Sequence, residues 1–363
     1  MKHLINIARY LVGGLFIFSG LIKVNDPVGT AIKMEEYFAV FAGDIASFFS
    51  VFEPYSLIIA VIMNVLEVVL GLALILRWRV KLTMNLLSFM ILFFTFLTFY
   101  TAYFNKVTDC GCFGDAIKLT PWQSFTKDVI LVILIGFLYL NINKIKESTF
   151  ATKHVIIFFT TLLTTLLCVY AIKHLPYIDF RAYKVGTVIQ EAMKPEESPK
   201  FQYTFEKDGK ETKSYQYLSK EDGYELKSYE ITNEDLSTPK ITDFALWNES
   251  GDKTEQVLSG VKLLIISYYI EEADESGLIE INQLLPQLPN DITPLILTSS
   301  SAEDVLKVKA RRSLQPDFYY GDATVLKTII RSNPGLVLLK DGKVLGKWHY
   351  NDVPENEEIL ALL

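Results

Sequence analysis

PYSLIIAVIMNVLEVVLGLALIL, residues 54–76, is the stretch that decides the fold. Its 23 residues hold one carboxylate, Glu67, and no basic side chain. A helix of that length, rising about 1.5 Å per residue, covers the roughly 30 Å of hydrocarbon in a bilayer. Four further stretches approach or reach the length such a crossing needs, at about 4–22, 82–104, 125–140 and 155–175, of which 125–140 is the shortest. The first is expected to be a retained helix and not a cleaved signal peptide, since no small-x-small site follows Ser19 and Gly20 before Lys23 and Asn25. The pattern predicts an α-helical bundle of about five spans.

Charge separates the remainder from this bundle. Through Leu175 the chain carries 14 Lys and Arg against 10 Asp and Glu, and after it 21 against 32. An acidic soluble half lacks the basic face that a phosphate backbone needs, so nucleic acid is not an expected partner. Lys and Arg in short loops stay on the cytoplasmic side. Lys2 and Arg9, then Arg77, Arg79 and Lys81, then Lys144, Lys146 and Lys153 all fall on one side if there are five spans. The expectation is a bacterial inner-membrane protein with a cytoplasmic N-terminus and a periplasmic C-terminal half. Residues 31–52 mix Tyr37, Phe38, Phe41, Phe48 and Phe49 with charges and read as a helix at the outer interface or as a solvated loop.

Two of the three cysteines stand two residues apart in the outward loop Asp109-Cys110-Gly111-Cys112-Phe113-Gly114-Asp115. A disulfide at that spacing closes a small ring, which needs backbone accommodation of the kind Gly111 permits. Strained bonds are easier to reduce and to exchange. The pair reads as a redox couple or as a structural clip. A metal site is a weaker reading, since the neighbouring donors are the hard carboxylates Asp109 and Asp115 and no His is near. Cys168, within the fifth span, reads as a small apolar residue. Glu67, with Asn64 one turn earlier on the same face, is costly in hydrocarbon; it serves either an interhelical hydrogen bond or proton uptake. Intramembrane charge is otherwise nearly absent, which ranks a small-molecule permease low. Lys23, Lys127 and Asp128 sit near outer helix ends, as snorkelling or capping residues or as neighbours of the cysteine loop.

Gly13-Gly14 and Ser19-Gly20 in the first helix, Lys23 at its end, Glu67 in the second span and Cys110-Gly111-Cys112-Phe113-Gly114 after the third resemble the DoxX-like membrane proteins, most closely their MauE (methylamine utilisation) branch, over residues 1–143. That resemblance implies a role in disulfide formation in exported proteins, with Cys110 and Cys112 as the catalytic pair, no evident bound cofactor, and an acceptor such as quinone. It does not carry methylamine metabolism across. With one pair only, the same cysteines must meet both the partner protein and the electron sink.

Residues 144–175 supply the fifth span, and 176–236 form a β-rich linker or insertion with expected hairpin turns at Asp208-Gly209 and Asp222-Gly223. From Ile241 onward strands alternate with helices, at 262–269, 275–287, 295–299, 302–309 and 324–330. The run 333–339 followed by 340–345 reads as a strand, a tight Asp341-Gly342 turn and a returning strand that close the pattern, as in a mixed sheet flanked by helices. With Asp243-Phe244 at its start and Pro334 before the closing hairpin, 237–363 resembles the thioredoxin fold of TlpA-like exported proteins. By that resemblance Asn333–Pro334 is a cis peptide facing the active site, and a Cys-x-x-Cys should follow the first strand. The chain has Ile270-Glu271-Glu272-Ala273-Asp274-Glu275-Ser276-Gly277 there, so this domain has no thiol chemistry and serves binding or support. Its acidic run reads as a solvated helix start. The expected function is thus a membrane thiol/disulfide oxidoreductase for exported or envelope proteins; the alternative is a non-enzymatic anchor that assembles envelope proteins.

Overall fold

A computed structural model of the chain describes residues 1–107, 111–147 and 152–363. It divides into two compact units, Met1–Arg181 and Ala182–Leu363. The first is built from α1 (Lys2–Asn25), α2 (Pro27–Asp44), α3 (Ser56–Leu76), α4 (Val80–Phe104), α5 (Pro121–Leu140) and α6 (Thr152–Lys173), with 3-10 helices at Ser47–Tyr55 and Ile142–Lys144. All but α2 are long and apolar enough to cross a bilayer, α3 together with its 3-10 lead-in. α5 starts four residues before its hydropathy window because a polar cap opens it. On α5 the Thr120 hydroxyl accepts from Gln123 N, the Gln123 side chain accepts from Thr120 N, and Pro121 takes the first helical position.

Helices α1, α3, α4 and α5 enclose one core that includes Val12, Phe16, Leu70, Leu74, Met84, Leu87, Ile135 and Leu138. A second cluster joins α6, through Ile157 and Cys168, to Val24 of α1 and to Val65, Val68 and Val69 of α3. Large apolar side chains such as Phe89, Leu92, Ile133, Leu140, Phe158 and Leu163 point outward. So much apolar surface is foreign to a water-exposed monomer and is the face a lipid-embedded bundle presents.

Two sequence expectations need correction here. The helix expected over 31–52 ends at Asp44, and Met34, Tyr37 and Phe41 of α2 are buried with Leu97, Tyr100 and Val107 instead of lying on an open interface. Arg9 and Lys153, counted above as loop charges, are buried. Arg9 Nη1 donates to the Ile75 carbonyl at 2.6 Å and Lys153 Nζ to that of Leu76. The last carbonyls of a helix have no partner within it, and here two cations supply one.

The second unit contains α7 (Ile189–Ala192), β1 (Phe201–Lys207), β2 (Lys210–Ser214), β3 (Glu225–Ile231), α8 (Glu234–Ser237), β4 (Leu246–Asn248), β5 (Gly251–Asp252), α9 (Thr254–Leu258), β6 (Val261–Ile266), α10 (Glu275–Leu284), β7 (Ile292–Thr298), α11 (Ala302–Arg312), β8 (Asp317–Gly321), α12 (Ala323–Ile329), β9 (Gly335–Lys340), β10 (Lys343–His349) and α13 (Asn356–Ala361). A three-stranded sheet runs β2-β1-β3. Asp208-Gly209 is its tight turn, with both residues left-handed. Asp222-Gly223 is not a hairpin turn: β3 pairs with β1 across the sheet from β2, and Gly223 closes a 3-10 helix, Lys220–Asp222.

The larger sheet runs β10-β9-β6-β7-β8-β4-β5. β6, β7 and β8 are parallel, while β9 and β10 on one side and β4 and β5 on the other run antiparallel to their neighbours. Leu263 through Ile266 are all buried, as a central strand covered on both faces requires. Leu263 and Ile265 pack with Leu278 and Ile281 of α10, Val305 of α11 and Ile359 of α13. The outer edge of β10 is covered by residues 186–189, where Gly186 N donates to Val344 O (2.8 Å), Val344 N to Thr187 O (2.9 Å) and Ile189 N to Gly342 O (3.0 Å). An uncovered edge would be open to pairing with another chain.

Candidate functional site

Cys110 lies outside the described residues; Cys112 lies within them, on the loop that joins α4 to α5. Gly111 and Gly114 on either side have φ of +61° and +49°, a conformation in which side-chain-bearing residues are strained. These two turns fold the loop back on the bundle. Phe113 is buried against Phe18 of α1, ring centroids 5.6 Å apart, and the Lys127 ammonium of α5 sits 5.0 Å above its ring. The Lys127 charge also bears on the Cys112 thiol. Burial pushes that thiol up from its ordinary value; Lys127 is the largest influence in the opposite direction, Asp128 adds to the rise and Lys23 to the fall.

Lys127 Nζ is 2.8 Å from Asp128 Oδ1, and the Thr98 hydroxyl of α4 donates to Asp128 Oδ2 at 2.9 Å. Asp128 is 1% exposed, so its carboxylate depends on these two partners. On the other side of the loop the Ser19 hydroxyl is shared between the Cys112 carbonyl at 2.9 Å and Glu67 Oε2 at 2.8 Å. The second oxygen of Glu67 meets the Lys23 ammonium in a buried ion pair. Lys23 additionally faces the Phe94 ring at 4.6 Å.

The structure therefore brings Lys23, Glu67, Lys127 and Asp128 around Cys112. Snorkelling, the first sequence reading for Lys23, is corrected: with only 8% of its surface exposed it turns inward to Glu67, since an ammonium in hydrocarbon is better stabilised by a carboxylate than left alone. Asn64 joins from a different direction, its Nδ2 donating to the Lys23 carbonyl at 2.9 Å. That carbonyl belongs to the last turn of α1, so Asn64 acts as a cross-helix cap. Cys168 is buried in the apolar cluster of α6 and α3. The view that intramembrane charge is nearly confined to Glu67 is also revised, because Arg9, Lys23 and Asp128 are buried charges in spanning helices; each has a partner inside the bundle.

Sequence reasoning missed Ser19 and Thr98 as site residues. Ser19 was legible in part, since it stands four residues before Lys23 and so on the same helical face. Thr98 carried no signal of its own, because hydroxyls in apolar helices usually bond the preceding turn, as Thr98 also does with the Phe94 carbonyl.

In the second unit the segment after β6 is closed by hydrogen bonds. Ser267 Oγ donates to Asn333 Oδ1 (2.6 Å), Asn333 Nδ2 to the Tyr269 carbonyl (2.8 Å) and Asp274 N to the Asn333 carbonyl (2.9 Å). The Asn333–Pro334 peptide is cis. The acidic run is not uniformly solvated: Glu271 accepts from Ser300 Oγ, Asp274 caps α10, and Glu275 pairs with Arg311 and Arg312.

Residues 1–141 match the family model described as methylamine utilisation protein MauE. The chain is also similar to Protein TlpB of Flavobacterium psychrophilum, at 26% identity over 144 residues, which are 39% of this chain and 37% of that protein. The shared stretch is thus well under half of either protein. No solved structure matches the chain.

Proposed function

We propose, with the MauE match over residues 1–141 as premise, that this membrane protein exchanges disulfides with exported proteins through Cys110 and Cys112. The observation that carries the reading is the Cys112 loop, whose carbonyl is held by Ser19 and through it by the buried Glu67–Lys23 pair, with the Lys127 ammonium over the ring of the next residue, Phe113. A clip on a tight turn needs none of these charges. In the exchange, a thiolate of the partner attacks the Cys110–Cys112 bond and a mixed disulfide forms. The partner's second thiolate then displaces the enzyme sulfur, so two electrons pass from the partner dithiol to the pair. Reoxidation needs a two-electron acceptor, for which we propose a lipid-soluble quinone, reached from the apolar surface of the bundle.

In the same proposal the second unit is a thioredoxin-like module without redox cysteines that binds or orients the partner; the parallel β6-β7 pair flanked by antiparallel β9 supports this. The placement is the bacterial inner membrane, with the N-terminus cytoplasmic and the second unit periplasmic. Lys2, Arg77, Arg79, Lys81, Lys144 and Lys146 still support it after Arg9 and Lys153 are reassigned as caps.

Trapping tests the proposal. Cys110→Ala and Cys112→Ala are each expressed in turn, and mixed disulfides are sought by non-reducing electrophoresis and mass spectrometry. One of the two variants is expected to capture exported proteins. If neither does, and the double Ser variant complements a deletion strain fully, the non-enzymatic anchor replaces this reading.

A further inference from the structure

We propose that the end of the bundle where α3 turns into α4 binds the phosphate of an anionic phospholipid, in a site formed by Arg9 of α1, Arg77 at the close of α3 and Lys153 of α6. The inference is independent of the thiol/disulfide reading and of which side of the membrane this end faces.

Two cations reach the last turn of α3 from two other helices. Arg9 Nη1 donates to the Ile75 carbonyl at 2.6 Å and Lys153 Nζ to that of Leu76, and Arg77 is the next residue. Three positive side chains are thereby gathered on three consecutive positions, two of them buried and Arg77 exposed. The following residues continue the basic surface. Arg79 lies over the Trp78 ring at 5.4 Å, and Trp78 Nε1 donates at 3.0 Å to Nδ1 of His154, the neighbour of Lys153.

The partners of this group are dipoles, and they do not balance its charge. A helix C-terminus supplies about half a negative elementary charge, against three full positive ones. The other contacts of Arg9 are neutral too, with Asn6 Oδ1 at 3.4 Å and the Tyr10 ring at 4.6 Å. Among the described residues no ion pair of the first unit includes Arg9, Arg77 or Lys153. Carboxylates are scarce by sequence as well, since neither α1 nor residues 68–107 hold an Asp or Glu. Donors also remain: Lys153 has three N–H groups and gives one to Leu76, and the buried Arg9 Nε has no hydrogen-bond partner. Like charges held this close call for an anion, and the several oxygens of a phosphate suit guanidinium and ammonium donors together. The flanks identify its source. Leu4, Ile7 and Leu11 of α1 and Val155, Ile156 and Phe159 of α6 are exposed apolar side chains within two turns of the cations. A soluble anion gains nothing from them, whereas the acyl chains below a lipid headgroup lie along such faces, and basic pockets between spanning helices hold anionic headgroups.

The experiment titrates the purified full chain in detergent with phosphatidylglycerol and with phosphatidylcholine of the same acyl chains, and reads bound lipid by native mass spectrometry. The parent is expected to prefer phosphatidylglycerol. A cation beside an anionic headgroup is worth about fivefold in affinity, so Arg77→Asn should weaken phosphatidylglycerol by about that factor and leave phosphatidylcholine unchanged. Asn tolerates the left-handed backbone at this position, φ +57°, so the turn is kept. Arg77→Lys retains the charge and should bind like the parent, and Lys153→Met should weaken binding as Arg77→Asn does. If Lys153→Met does not accumulate for want of its cap on α3, the exposed Arg77 still decides the matter. Lys144→Gln is the control, since it removes one charge from the same end whose ammonium is already bonded to Asn141 Oδ1 at 2.7 Å; it should stay near the parent. Equal losses from Arg77→Asn and Lys144→Gln are the mark of a diffuse basic surface and overturn the site. Equal affinity for the two lipids overturns it as well, and if inorganic phosphate then raises the melting temperature of the parent but not of Arg77→Asn, the anion is a soluble one and not a lipid.

Discussion

Glu67 and Lys23 face each other across α3 and α1, one 1% and the other 8% exposed. Taking two charges out of water costs several kcal/mol each, and their attraction repays this only when both are present with their remaining hydrogen bonds made. Here Ser19 serves the second carboxylate oxygen and the Phe94 ring receives one side of the ammonium. Removing one partner leaves the other buried and uncompensated. Glu67→Gln or Lys23→Met alone is therefore expected to destabilise the bundle by about 3–5 kcal/mol, whereas Lys23→Met with Glu67→Leu should recover most of the loss. Unfolding of the purified protein in mixed detergent micelles measures both, and equal losses in single and double variants would show that the pair is not coupled. The cost of Glu67 was legible in the sequence from its place in an apolar run. Its partner was not, because Lys23 lies 44 residues away and helical spacing fixes only which residues share a face of one helix.

At the scale of elements, α1 and α3 approach closely through glycine. A Cβ on Gly71 would stand 2.6 Å from the Gly13 carbonyl oxygen, and one on Gly13 would stand 2.8 Å from that of Gly71. Backbone cannot yield as a flexible side chain does, so the helices would have to part. Gly71→Ala is expected to cost about 1–3 kcal/mol. Gly14 is the control: nothing lies within 4 Å of its Cβ position. There Ala should be neutral or stabilise by up to about 1 kcal/mol, because glycine is the poorer helix residue. Thermal melts of the two variants beside the parent check the contrast, and similar melts for both would refute the close-packing argument. The sequence offered Gly13 and Gly14 as an undivided pair, and only the packing of α3 distinguishes them. The apolar spans themselves were legible since bilayer thickness sets their length directly. The turn at Asp208-Gly209 was legible for a similar reason, since few residues take left-handed backbone. Asp222-Gly223 carries the same signature but closes a 3-10 helix, because which strand β3 joins is decided by pairing across the sheet.

For the whole molecule, parity carries the argument. Five crossings put the two ends of the first unit on opposite sides of a membrane, and four or six would not. α6 is the helix on which this turns: it lies outside the core formed by α1, α3, α4 and α5, sharing instead the cluster of Ile157 and Cys168 with α3. Residues 1–141, the part that matches MauE, end before α6 begins. The fifth span is thus an addition whose consequence is to carry the chain across once more, to the side of the cysteine loop. If that holds, the cysteine-free second unit and Cys112 lie on the same side of the membrane, as the proposed function requires. Single cysteines introduced as Lys144→Cys and Ser214→Cys, in a background with Cys110→Ser, Cys112→Ser and Cys168→Ala, separate the alternatives. Both positions are in exposed or half-buried polar segments. In intact cells whose outer membrane has been made permeable, a membrane-impermeant maleimide is expected to label position 214 at once and position 144 only after the inner membrane is broken. Labelling of both positions, or of 144 alone, would overturn the five-span orientation and remove the basis for a shared outer face.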